Sequence, residues 1–173
     1  MDKLVEIMGE EAFRKGIQEY LTTYAYANAS WDDLVAILDK YSDKDLAMFS
    51  DVWVNQRGMP HIKFERKNNR LCISQSDPLG RGLHWPQSFS IDVVADGTTT
   101  RHEVVMTDKE VVLEIANIDY IIPNSDGRGY GLFIIEDSNI KTLLSTWPTI
   151  TDELMRQASI MNLKELYEAN IIC

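Results

Sequence analysis

Between Ser42 and Phe64 the hydrophobic period of the chain changes, and that change limits the fold more than any other stretch. Leu46, Phe49 and Trp53 fall at i, i+3 and i+7, which places them on one face of a helix. Ser42 or Asp43 is the expected N-cap. Gly58 follows as a stop signal, and Pro60 cannot continue a helix. Beyond Pro60 the period becomes two, with Ile62 and Phe64 on one side and His61, Lys63 and Glu65 on the other. A helical part therefore ends near Gly58 and a sheet part begins near Met59.

The text on either side fits this division. Asp2 to about Met8 reads as the end of a helix, and Glu10 to about Thr23 as a helix with Phe13, Ile17, Tyr20, Leu21 and Tyr24 on one face. Ser30 or Asn28 caps the next, which carries Leu34, Ile37, Leu38 and Tyr41 as its apolar stripe. After Met59 short strands are expected at Ile62–Glu65, Leu71–Gln75, Phe89–Val93, Arg101–Met106, Glu110–Ala116 and Tyr130–Ile135. Asn68-Asn69 and Asp96-Gly97 supply hairpin turns. Six or seven strands at this spacing predict an antiparallel β-sandwich. Helical periods return after Asp137. Ser138 is the expected cap of Ile140–Thr146, Pro148 a break, Thr151 the cap of Asp152–Ser159, and Leu163, Leu166 and Tyr167 part of a separate last helix.

With 173 residues the chain can bury roughly 70% of its unfolded surface. A formal charge of −10 argues against nucleic acid as a partner, because phosphate backbones select cationic surfaces. No apolar run is long enough to span a membrane. The opening Met1-Asp2-Lys3-Leu4-Val5-Glu6 is not a signal peptide, since charges interrupt it, and compartment is left open. Cys72 and Cys173 make no disulfide framework, and Cys72 between Leu71 and Ile73 reads as a buried strand thiol.

Candidate chemistry is sparse. His102-Glu103-Val104-Val105-Met106 is a partial His-Glu-x-x-His, with Met106 where the second imidazole belongs and a strand pattern where a helix is needed. His61 and His84 add no ligand spacing. Gly127-Arg128-Gly129-Tyr130-Gly131 lacks the Lys-Ser/Thr of a phosphate loop and reads as a turn into a strand. Asn28-Ala29-Ser30 fits a glycosylation acceptor, although capping explains the same residues. Asp39, Asp43, Asp45 and Asp51 lack the glycine and closing glutamate of a calcium loop and read as a solvated face. Trp31, Trp53, Trp85 and Trp147 could form a sugar-binding set on a sandwich, yet their positions fit packing better. No catalytic, metal-binding or substrate-binding residue is assigned.

Several motifs also resemble a known family. A helix ending in Trp53, a polar pair, Gly58, one residue and Pro60, then a strand, resembles the end of the catalytic domain of aminopeptidase N-type zinc metallopeptidases, the gluzincin aminopeptidases. Gly9 to Leu21, with Phe13 and Gly16, is similar to a Gly-Phe-Gly-Leu helix of that family. Asn28-Ala29-Ser30-Trp31-Asp32-Asp33-Leu34 is similar to its Asn-Ala-Thr, Asp-Leu helix start. Gly129-Tyr130-Gly131-Leu132-Phe133 resembles the last strand of its small β-domain. The resemblance implies an α+β, multi-part chain. Residues 1–58 would be the C-terminal helices of a thermolysin-like catalytic domain, 59–136 a β-sandwich, and 137–173 the start of a C-terminal helical domain. It implies a parent that removes N-terminal residues from peptides with zinc, and a zinc site, a Gly-x-Met-Glu-Asn segment and a catalytic Tyr that lie before Met1. This chain would then be a non-catalytic structural fragment with no cofactor of its own. Its partners would be the rest of the catalytic and helical domains, and Met1–Tyr24 would be a surface for self-association. The alternative is a free-standing β-sandwich module that binds protein or carbohydrate.

Overall fold

The structure, a computed structural model, describes residues 1–172. It is a mixed α+β fold, and among the described residues it holds six α-helices and seven strands in two sheets. The chain divides into two compact units that meet in sequence between Arg57 and Gly58.

The first unit is helical: α1 (Asp2–Met8), α2 (Glu10–Thr23), α3 (Trp31–Asp39) and α4 (Leu46–Ser50), the last continuing into a π-helical turn at Asp51–Asn55. Its core is small. Leu4, Leu34, Val35, Leu38, Leu46 and Phe49 are buried, with Phe13, Ile17, Tyr20 and Trp53 packed around them. Most apolar side chains of Met1–Tyr24 therefore turn inward, while Leu21 stays exposed. Trp53 lies on Phe49 with ring centroids 5.6 Å apart.

Ser30 caps α3 through a full capping box, its hydroxyl accepting from the Asp33 amide while Asp33 accepts from the Ser30 amide. The cap of α4 is Asp45, which accepts from Met48 N at 2.9 Å, rather than Ser42 or Asp43. The helix starts later than its polar run suggests because Asp39 also accepts from Leu46 N, at 3.0 Å, and holds the entry.

Gly16 brings α2 against α3. A Cβ there would meet Leu38 Cδ2 at 2.6 Å and Leu38 Cα at 3.4 Å. Gly16→Leu is expected to cost about 1–3 kcal/mol by overpacking. Gly16→Ala should cost less, because alanine recovers about 1 kcal/mol of helix propensity. Denaturant melts followed by amide exchange in α2 and α3 check both.

The second unit carries the sheets. Its strands are β1 (His61–Lys67), β2 (Arg70–Ser76), β3 (Gln87–Ala95), β4 (Thr98–Met106), β5 (Glu110–Glu114), β6 (Tyr120–Ile122) and β7 (Leu132–Ile134). One sheet runs β5-β2-β1-β7 and the other β4-β3-β6. Helices α5 (Asp137–Thr146) and α6 (Glu153–Glu168) follow. A single core draws on both sheets and both helices. Ile62, Phe64 and Ile73 come from the first sheet, Phe89, Ile91 and Val104 from the second, and Ile140, Leu143, Leu163 and Leu166 from α5 and α6. The period-two pattern explains this, since alternate strand residues face one side.

Both expected hairpin turns form. Lys67 pairs with Arg70 across Asn68-Asn69, and Ala95 with Thr98 across Asp96-Gly97. Asp96 and Gly97 both take positive φ, 49° and 73°, as a two-residue type I′ turn demands.

Other features of this unit also depart from the sequence reading. β7 pairs with β1 in parallel, Ile62 opposite Phe133, so the sheets are not wholly antiparallel. β6 is an additional three-residue strand that pairs with β3. Asp152, not Thr151, caps α6 by accepting from Met155 N at 2.8 Å, and the N-cap position of α5 is Glu136, not Ser138. α6 is one continuous helix, not two. Within it the Ser159 hydroxyl donates to Met155 O and Asn162 Nδ2 to Pro123 O, so neither polar group interrupts the turn.

Candidate functional site

The partial zinc signature lies on strand β4. His102 is half-buried opposite Ile91, Glu103 is exposed, and Met106 is wholly buried in the core. On a strand His102 and position 106 stand about 13 Å apart, too far to share one ion as residues one helical turn apart do. His61 opens β1 and His84 lies in the segment between β2 and β3. Among the described residues no three His, Cys, Asp or Glu side chains gather as a metal-ligand set. The described residues therefore offer no ligand set for a zinc ion.

The acidic cluster resolves into capping. Asp45 holds the start of α4 and Asp39 the amide of Leu46, while Asp43 pairs with Lys44. The glycine-rich segment leads into β7. Asn124 clamps it, its Oδ1 accepting from Gly129 N at 2.7 Å and its Nδ2 donating to Gly129 O. A Cβ on Gly129 would reach Phe133 Cζ at 2.6 Å, so this glycine serves packing. Cys72 is a buried free thiol.

The four tryptophans do not make a sugar platform. Trp85 is buried and the others are half-buried. Trp31 Nε1 donates to Ser50 Oγ at 2.6 Å, Trp53 lies on Phe49, and Trp147 packs against the sheet core. Nothing supports the carbohydrate alternative.

Buried carboxamides that hold loops to strands were not legible as special positions in the sequence. Gln75 accepts from Trp85 N and donates to Asp108 O. Gln87 accepts from Tyr130 N and donates to Tyr130 O. Asn139 accepts from Ile121 N at 2.7 Å and donates to Ile121 O at 2.8 Å. Each replaces a pair of ladder bonds that buried backbone would otherwise lack. In the sequence each stands beside other polar residues, Gln75 between Ser74 and Ser76, Gln87 before Ser88 and Asn139 after Ser138, so nothing marks it out.

A charged clamp orders the loop after β2. Asp77 accepts from the amides of Leu79 and Arg81 and takes the Arg81 guanidinium through two bonds of 2.9 Å. Arg81 holds the Asp77 carboxyl far below the usual carboxylate range. Because the folded-state value is depressed, this contribution to stability is present above the ordinary carboxylate pKa and is lost as pH falls below it. Amide protection at Leu79 and Arg81 is expected to persist from neutral pH to about pH 4. Asp77→Asn should remove it at neutral pH, as proton exchange by NMR would show.

Comparison with known proteins gives the context for these elements. Residues 1–53 match the Peptidase family M1 domain. The chain is 25% identical to the alanine/arginine aminopeptidase of Saccharomyces cerevisiae over 163 residues, which is 91% of this chain and 18% of that protein. It is 25% identical to the tricorn protease-interacting factor F2 of Thermoplasma volcanium over 145 residues, 82% of this chain and 17% of the relative. It is 24% identical to aminopeptidase N of Lactobacillus delbrueckii subsp. lactis over 153 residues, 88% of this chain and 17% of that enzyme. The chain thus spans under a fifth of the length of these relatives. Both the helical unit and the sheet unit fall within the longer of these alignments, so the chain is similar to one segment of peptidase family M1 aminopeptidases along nearly all of its length.

Proposed function

We propose that this chain is a structural segment of a larger zinc aminopeptidase and carries no part of its zinc site. In this reading residues 1–58 close a thermolysin-like catalytic domain, 59–136 form a β-sandwich spacer, and 137–173 begin a helical domain that flanks substrate access. The whole enzyme would remove N-terminal residues from peptides, with a zinc-bound water attacking the scissile carbonyl. The chain's own contribution is mechanical: a helical unit and a sheet unit joined by a short connection, each with its own core.

One observation carries the proposal. The match to the peptidase domain stops at residue 53, four residues before the first compact unit ends at Arg57, while the aminopeptidase alignments continue through the second unit. A free-standing module would have no reason to align across that boundary. Determining the coding sequence upstream of Met1 tests the reading. An in-frame His-Glu-x-x-His on a helical pattern supports it, and an upstream stop codon with a ribosome-binding signal at Met1 overturns it.

A further inference from the structure

A groove of about 330 Å³ runs along α6 and is walled on its other side by the 124–131 segment. From α6 it is lined by Leu154, Gln157, Met161 and Glu165, and across from them by Gly127 and Tyr130. Among the described residues Glu165 is the one charged group in the lining. Among them, too, no hydrogen bond or ion pair engages it, and the neighbouring Lys164 pairs with Glu168 at 3.5 Å instead. Burial pushes the Glu165 carboxyl up, Glu168 adds to the shift, and Lys164 opposes it. Leu154 and Met161 remain about half exposed, 52% each, at the rim.

We propose that this groove receives a peptide segment carrying a basic side chain between apolar residues, with Glu165 as the counter-ion of that side chain. Charge and shape both select this occupant. A purely apolar segment would cover an ionised carboxylate and leave it unpaired, which is strongly disfavoured. A metal ion would need further ligands, and among the described residues no such set exists. A free amine would leave Leu154 and Met161 in water. Leu154 and Glu165 lie eleven residues apart on α6, about 16 Å along a helix. That span suits roughly five residues of extended chain. Methionine at the rim adapts to different apolar neighbours.

The inference stands apart from the peptidase reading, since it concerns a groove formed wholly within the sheet-bearing unit. It is tested by titrating the ¹⁵N-labelled chain with acetyl-Ala-Leu-Arg-Leu-Ala-amide and with the neutral citrulline analogue. Saturable shifts are expected at Gly127, Tyr130, Met161 and Glu165, with the citrulline peptide bound roughly tenfold more weakly. Glu165→Gln should bind the two peptides alike, while Glu103→Gln, on exposed β4, should keep the preference. Equal binding of both peptides by the unaltered chain, shifts spread over the acidic surface, or no saturable shift at the groove overturns the proposal.

Discussion

Replacing Asn139 with leucine is expected to destabilise the sheet-bearing unit by roughly 3–5 kcal/mol. Asn139 is 2% exposed, and its amide alone satisfies both Ile121 N and Ile121 O on the side of β6 that faces away from β3. Leucine has similar volume but leaves two buried backbone groups without partners, at ~1–3 kcal/mol each. It also removes an acceptor for Arg66 Nη2, whose guanidinium bonds Ile118 O and Asp119 O. Denaturant unfolding checks the size of the loss, and amide exchange should localise it to Ile121 and its neighbours. A cost under about 1 kcal/mol would mean that solvent reaches β6.

Phe133→Ala should cost about as much, roughly 3–5 kcal/mol, by a different cause. Phe133 is 1% exposed on β7 and meets Phe89 edge-on, ring centroids 5.2 Å apart at 79°, with Phe64 at 6.4 Å. It therefore ties the two sheets together through one ring. The truncation would leave a cavity among rigid strand neighbours and remove both aromatic contacts. Phe133→Leu should recover more than half of the loss, since most of the volume returns. Thermal unfolding of the two variants measures the difference.

How far these positions could be read in advance depends on the range of the forces involved. The period change around Pro60, the Ser30 cap and the Asp96-Gly97 turn are set within a few residues, so the sequence displays them. The parallel pairing of β1 with β7 joins residues about 70 apart and leaves no local mark. β6 has only three residues, too few to show a period, and it exists because β3 and Asn139 hold its two sides. The sequence reading ended a helix at Ser159, whereas α6 runs on because Ser159 bonds Met155 O within the helix and Asn162 bonds Pro123 O on a distant segment. Asp45 and Asp152 took the capping roles over nearby Ser, Thr and Asp, a choice of one to three residues that competing caps of similar strength do not fix in sequence. At the candidate site the partial His-Glu-x-x-His was legible as a poor match because of Met106, and the buried Met106 side chain gives the reason: that position belongs to the core. The Glu165 groove had no sequence signature, since its two walls come from α6 and a loop some 30 residues earlier.

We propose that this segment supports a peptidase without holding its metal. The sharpest test is zinc content of the purified chain after equilibration with zinc and dialysis, together with hydrolysis of an aminoacyl fluorogenic substrate. Zinc far below one equivalent per chain and no hydrolysis above buffer are expected. One tightly held zinc per chain, or turnover that a chelator abolishes, would contradict it.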